Sequence, residues 1–153
     1  MAKKKKQSSG VVANKRAFFD YTISQPLIAG IALTGPEVRS IRSAHASLVG
    51  AFVTIKDGEA YLLNAQVMPL KTNAAHLPSE MQIRTRKLLL KKRQLNDLAQ
   101  AKQQGYTIIP LKILTKGRFI KVEIALAKGK KQYDKREVIK KRDSERDAAR
   151  SLR

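Results

Sequence analysis

The alternation of apolar and polar residues in RFIKVEIAL, residues 118–126, constrains the fold more than any other feature of the chain. Every second side chain from Ile120 to Leu126 is apolar, and Lys121, Glu123 and Ala125 stand between them. A period of two places one set on a buried sheet face and the other in solvent. With YTIIPLKIL before the turn at Thr115-Lys116-Gly117, the pattern predicts an antiparallel hairpin, with Pro110 on an edge or at a bulge.

The first half of the chain is predicted to supply more strands and one short helix. FDYTISQPLIAGIAL, residues 19–33, indicates a strand, an irregularity around its proline, and a second strand. TGPEVRSIR predicts a helix that starts at Thr34 or Gly35, with Pro36 and Glu37 in its first turn. Asp57-Gly58, between β-forming residues, predicts a second tight hairpin.

The segment after a predicted loop over residues 69–80 is interpreted as a long helix. In RTRKLLLKKRQLNDLAQAKQQG, residues 84–105, the leucines Leu88, Leu95 and Leu98 form a stripe at helical spacing, and Gly105 ends it. Basic residues surround the stripe and form a face that either contacts RNA or is only solvated: Arg84, Arg86, Lys87, Lys91, Lys92 and Arg93.

These elements predict a mainly β, α+β fold. The expected form is a small closed β-barrel of the oligonucleotide-binding type with two or three helices; a split α+β sheet is the alternative. Residues 11–130 are expected to form one domain. Residues 1–10 are expected to be a disordered basic terminus. Residues 131–153, which we call the tail, are expected to be a basic segment that is disordered in the free protein.

Charge indicates the class of partner. The 153 residues include 32 Lys and Arg against 12 Asp and Glu, a formal charge of +20. Phosphate backbones attract such a chain, because each neutralised phosphate releases condensed counterions. The tail has only a thin apolar stripe, so its isolated helicity is expected to be marginal and to increase on a phosphate-bearing partner. Tyr133 in the tail either stacks on a base or packs against the barrel.

Catalytic and metal-binding signatures are missing from the sequence. There is no Cys, His45 and His76 are each isolated, and the carboxylates show no catalytic spacing, so an enzyme, a metal or a cofactor is not expected. A magnesium nuclease is the enzymatic alternative, but no spacing in the sequence pairs Asp20, Glu37 or Asp57. No signal peptide or membrane-spanning run is recognisable, which predicts a cytoplasmic protein.

Five motifs together resemble one bacterial family. They are NKRAFFDY (14–21), AGIALTGPEVRSIR (29–42), DGEAYLLN (57–64), RTRKLLL (84–90) and AKGKKQYDKRE (127–137). In this order they resemble the SsrA-binding protein family, also called small protein B. The resemblance implies a non-catalytic, monomeric protein that binds the tRNA-like domain of transfer-messenger RNA (tmRNA) and brings it to stalled ribosomes for trans-translation. Elongation factor Tu is a candidate further partner in that complex.

The resemblance also implies two groups of site residues. In the family the tail enters the empty messenger channel and becomes helical near the small-subunit RNA of the decoding centre. The implied RNA-binding residues are Asn14, Lys15, Arg16, Gly35, Glu37, Arg86, Lys87, Leu88, Lys121, Lys128, Lys130 and Lys131. The implied ribosome-binding tail residues are Tyr133, Asp134, Lys135, Arg136, Lys140, Lys141, Arg142 and Arg146. The chain departs from the family at Ile28, where the family commonly has an acidic residue on its RNA-binding face.

Composition alone leaves two other classes open. A ribosomal protein or general RNA chaperone would have the same charge, and so would a structural protein that binds membrane surfaces or other polyanions. Selective binding of a tRNA-like shape distinguishes the first alternative, and competition between RNA and anionic vesicles distinguishes the second.

Overall fold

The computed structural model describes residues 12–130 and 132–151, without the side chains of residues 132–134. Its strands are β1 (Val12–Ala13), β2 (Tyr21–Ile31), β3 (Ala46–Ser47), β4 (Phe52–Lys56), β5 (Glu59–Leu63), β6 (Gln66–Val67), β7 (Arg86–Leu89), β8 (Thr107–Leu114) and β9 (Lys121–Gly129). Its α-helices are α1 (Lys15–Asp20), α2 (Gly35–Arg42), α3 (Ser79–Gln82), α4 (Lys92–Gln103) and α5 (Gln132–Ser151).

Seven strands form one antiparallel sheet that closes on itself. Their order is β1-β8-β4-β5-β7-β2-β9, and β8 also pairs with β9, which completes a ring. The pairing between β4 and β8 is short, with Val53 opposite Ile108. The predicted α+β class and closed sheet are therefore confirmed.

The core fills the inside of the ring. Leu62, Ile108 and Val122 are almost fully buried there, and Ile41 of α2 and Leu98 of α4 join them. Burying each such side chain contributes about 1.5–3 kcal/mol. A second, smaller cluster lies beneath α1, where Ala17 packs against β8 and β9. The wall formed by β8 and β9 is thus packed on both faces.

Several local predictions are confirmed. Asp57 and Gly58 both have positive φ, 54° and 73°, as the tight turn between β4 and β5 requires. Strand β2 is irregular between Ser24 and Leu27, and the register of β8 against β9 shifts at Pro110. Helix α2 begins where predicted, since the Glu37 carboxylate accepts the backbone N–H of Thr34 at 2.9 Å.

The predicted long helix over residues 84–104 is wrong in its first part. Residues 86–89 form strand β7, which pairs with β2 and β5, and only Lys92–Gln103 are helical. Leu88 is buried and Leu89 is exposed, as strand alternation requires. Ring closure needs a strand between β2 and β5, so tertiary pairing overrides the helical spacing.

Other helices exceed the predicted number. Helix α1 lies where the sequence predicts no helix. The 3-10 turn at Ala74–His76 lies in the predicted loop, and α3 begins within that loop. Residues 132–151 form the helix α5. None of the helices in the described ranges is long and apolar enough to cross a membrane.

Candidate nucleic-acid interface

A flat row of residues crosses four strands on the outside of the ring. Leu89 of β7 pairs with Gly30 of β2, Gly30 pairs with Lys121 of β9, and Lys121 pairs with Leu114 of β8. A Cβ on residue 30 would lie 3.1 Å from the Leu89 Cβ, closer than ordinary packing allows. Glycine therefore keeps the surface between Leu89 and Lys121 open.

Exposed apolar side chains and cations surround this row. Ile28, Leu89 and Phe119 are 53%, 57% and 70% exposed. Two adjoining clefts of about 490 and 430 Å³ share Ile28 and Lys121. We call this surface the Lys121 face; it comprises Ile28, Gly30, Leu89, Phe119 and Lys121, with Lys91, Lys116 and Arg118 at its margins. Apolar surface bordered by cations suits a ligand that has aromatic rings and phosphates.

One carboxylate borders the Lys121 face but is already neutralised. Glu123 is the cross-strand partner of Ile28, and it forms an ion pair with Lys112 at 3.1 Å. Lys87, two residues before Leu89 on β7, is exposed and donates to Glu59 at 2.7 Å. Because of that hydrogen bond the pKa of Lys87 is raised and the pKa of Glu59 is lowered. Lys121 is thus the more available cation for a phosphate.

A buried ionic cluster supports the same end of the ring. Glu37 has no exposed surface and accepts two hydrogen bonds of 2.7 Å from Arg84 and one of 3.1 Å from Arg86. Arg86 is 1% exposed, and it also donates to the carbonyl oxygens of Ala65 and Met81 at 2.8 and 3.1 Å. The cluster joins α2, α3 and β7.

The protonation states of this cluster are set by its pairing. Burial acts to raise the pKa of Glu37, but the hydrogen bonds from Arg84 and Thr34 and the charge of Arg86 leave it below its ordinary value. Burial lowers the pKa of the Arg86 guanidinium, and Glu37 opposes that shift. Glu37 is therefore an ionised structural anchor at neutral pH.

Four of the sequence-predicted RNA-binding residues lie in the interior. They are Asn14, Glu37, Arg86 and Leu88, all at most 5% exposed. Asn14 donates to the carbonyl oxygens of Leu48 and Pro110 at 3.2 and 3.1 Å, which ties the start of the fold to the ring. In this conformation these four side chains offer no surface to a partner and instead hold the elements that do.

The other predicted residues fall on two surfaces. Lys121 lies on the Lys121 face, and Lys87 lies beside it, while Gly35 is exposed at the start of α2. The other described residues of this set lie near α1 and the end of β9. Lys15 and Arg16 are exposed. The Lys128 ammonium lies 5.3 Å from the centre of the Tyr106 ring, and the Lys130 ammonium donates to the carbonyl oxygen of Phe18 at 3.0 Å. Lys131 lies outside the described residues.

Helix α5 meets the domain through α1. Asp20 forms ion pairs with Arg16 at 3.2 Å and with Lys135 at 3.3 Å, and the Arg142 guanidinium lies 5.7 Å from the centre of the Phe19 ring. The remaining predicted tail cations are exposed: Arg136, Lys140, Lys141 and Arg146. Tyr133 and Asp134 belong to the helix, but their side chains lie outside the described part.

Sequence reasoning did not single out Gly30, Leu89 or Phe119. An apolar residue in a predicted strand is normally assigned to the core, because the sequence does not show which face of the sheet it occupies; strand pairing does. Within the described residues, no three His, Asp or Glu side chains are grouped so as to hold a metal ion.

Comparisons with known proteins identify relatives along the whole chain. The sequence model of the SmpB protein family matches residues 11–153. The SsrA-binding proteins of Pseudomonas paraeruginosa and Pseudomonas aeruginosa are each 50% identical over 155 aligned positions, covering 100% of this chain and 97% of theirs. That of Azotobacter vinelandii is 49% identical and covers 100% and 96%. A solved structure described as "tmRNA-SmpB: a journey to the center of the bacterial ribosome" superposes with a TM-score of 0.66 at 37% identity, covering 85% of this chain and 94% of that chain.

Proposed function

The chain belongs to the SmpB protein family, and from this premise we propose that it binds the tRNA-like domain of tmRNA and delivers that RNA to stalled ribosomes for trans-translation. The Lys121 face is the observation that carries the proposal for this chain. It combines exposed apolar side chains with an available cation, and it is built on a rigid sheet.

The domain and the tail have separate roles in this proposal. Residues 11–130 bind tmRNA, and the tail recognises the vacant messenger channel beside the small-subunit RNA. The described contacts of α5 with the domain include one partly exposed ion pair and one cation–π contact, each contributing about 1 kcal/mol. Such contacts can be exchanged for ribosomal phosphates at little cost.

The protein acts without catalysis in this proposal, as a cytoplasmic monomer. The names and descriptions of its relatives, which mention SsrA, tmRNA and the bacterial ribosome, support this RNA and ribosome as partners. Elongation factor Tu is a further candidate partner within the complex. The high net charge supports a general RNA chaperone as the second candidate.

Competition binding at near-physiological salt separates these two candidates. The labelled probe is the tRNA-like domain of tmRNA, and the competitors are the same unlabelled RNA and an unstructured RNA of equal length. We expect the unlabelled tRNA-like domain to compete at least tenfold better, because shape-specific contacts add to the charge-dependent affinity. Equal competition would favour the chaperone and overturn the proposal.

A further inference from the structure

The loop between β8 and β9 holds a large aromatic ring in solvent. Phe119 is 70% exposed, more than any other large apolar side chain in the described residues. Full burial of a phenylalanine contributes about 1.5–3 kcal/mol, which is not obtained here within the monomer. A ring so exposed at the edge of a cation-bordered face is available to an external ligand.

Arg42 fixes the conformation of this loop. It is the last residue of α2, and its guanidinium donates to the carbonyl oxygens of Thr115, Gly117 and Arg118 at 2.9, 3.2 and 3.1 Å. Gly117 has a φ of +93°, which other residues adopt only with strain. Three carbonyls held by one planar cation make the loop rigid, so Phe119 is presented in a defined position.

The surroundings of Phe119 indicate the chemistry of its ligand. The Arg118 guanidinium lies 5.5 Å from the centre of the ring, and the cleft of about 490 Å³ beside the ring is bordered by Lys116, Arg118 and Lys121 without an acidic residue. Ile28 also lines this cleft. An aromatic face, an apolar floor and three cations match a nucleobase carried by phosphates.

We propose that Phe119, held in place by Arg42, stacks on an unpaired nucleobase of the bound RNA, while Lys116 and Arg118 contact the phosphates beside that base. Phe119 is the contacting residue, and Arg42 is a positioning residue. The inference rests on the proposed function, since it names the part of the RNA that the Lys121 face receives.

The absence of Trp from the chain allows a direct test. Phe119→Trp places a single indole on the loop, and stacking on a base is expected to quench its fluorescence as the tRNA-like domain is added. Ile83→Trp is the matched control, because Ile83 is 59% exposed and the neighbouring Arg84 is engaged by Glu37. We expect quenching of Phe119→Trp to saturate with the binding curve and Ile83→Trp to change little.

Two further variants test whether binding requires an aromatic ring at residue 119 and whether Arg42 positions that ring. Phe119→Leu is expected to bind roughly 5- to 150-fold more weakly than Phe119→Trp, the range for losing one base stack. In the Phe119→Trp background, Arg42→Lys keeps the charge but loses the planar fork, so quenching should fall while the salt slope stays the same. Circular dichroism of each variant verifies that the fold is retained.

The outcomes distinguish this inference from the proposed function. Selective RNA binding by Phe119→Trp without quenching, or a Phe119→Leu variant with the affinity of the unmodified protein, would overturn the stacking inference and leave the proposed function standing. Failure of the unmodified protein to select the tRNA-like domain would overturn both.

Discussion

Glu37→Gln tests whether the buried carboxylate supports the fold or contacts RNA. Glu37 has no exposed surface and accepts hydrogen bonds from Arg84, Arg86 and the Thr34 backbone. Glutamine keeps one acceptor oxygen but turns an amide donor toward groups that are themselves donors. At least one charge-assisted hydrogen bond is lost, at about 1.5–3 kcal/mol, and the buried Arg86 charge loses its counterion.

The expected loss is about 3 kcal/mol in the free energy of unfolding. It lies at the lower end of the range of about 3–5 kcal/mol for breaking a buried ion pair, because Arg84 is 28% exposed and Arg86 keeps its carbonyl acceptors. With an m value of about 1.5–2 kcal/mol/M, the urea midpoint should fall by roughly 1.5–2 M. Far-ultraviolet circular dichroism measures the transition.

The loss of unfolding free energy caused by Glu37→Gln should depend on pH in a defined direction. The pKa of Glu37 in the folded state lies below its ordinary value of 4.5. Its stabilising contribution is therefore fully present above pH 4.5 and is lost as the pH falls through the lowered folded-state pKa. The difference in unfolding free energy between the unmodified protein and Glu37→Gln should be largest near neutral pH and should decrease in acid.

Two comparisons make the result decisive. Glu59→Gln, which alters an exposed carboxylate paired with Lys87, should leave the urea midpoint nearly unchanged. Folded Glu37→Gln should bind the tRNA-like domain with nearly the affinity of the unmodified protein. An unchanged urea midpoint together with lost RNA affinity would refute the structural role and place Glu37 at the RNA.

Three further changes probe the Lys121 face, the tail and the ion pair between α1 and α5. Lys121→Ala should reduce the slope of log affinity against log salt by about 0.7–0.9, one phosphate contact, whereas Lys56→Ala, exposed at the end of β4, should not; equal slopes would remove Lys121 from the interface. Deleting residues 134–153 should leave most tmRNA affinity and abolish tagging on stalled ribosomes, and parallel loss of both would contradict the division of roles. Asp20→Asn removes the partly exposed ion pair with Lys135, which contributes about 1 kcal/mol, so hydrogen exchange in α5 should quicken by roughly fivefold; a much larger acceleration would show that Asp20 anchors the helix.

Local sequence signals predicted the elements that local chemistry determines. The Asp57-Gly58 turn, the start of α2 and the hairpin of β8 and β9 each depend on residues close in sequence. Residues 86–89 were misassigned because three consecutive leucines fit a helix as well as a strand. Pairing with β2 and β5, more than 20 residues away in sequence, determines the outcome.

The candidate site was only partly predictable for a related reason. The family resemblance implied Lys121, which lies on the predicted final hairpin, and the structure puts it on an open face. Whether Arg86 or Leu89 faces solvent depends on strand register, which the sequence does not reveal: the arginine proves to be buried and the leucine exposed. Motif membership therefore identified the segment but not the side chains that reach its surface.

Sequencing the RNA that copurifies with the protein from its own cells tests the central claim most directly. The unmodified protein is expected to retain tmRNA far above its share of total RNA, and a Leu89→Ala/Lys121→Ala variant should lose that enrichment. RNA recovered in proportion to cellular abundance by the unmodified protein, or tmRNA enrichment retained by the variant, would contradict selective recognition through the Lys121 face.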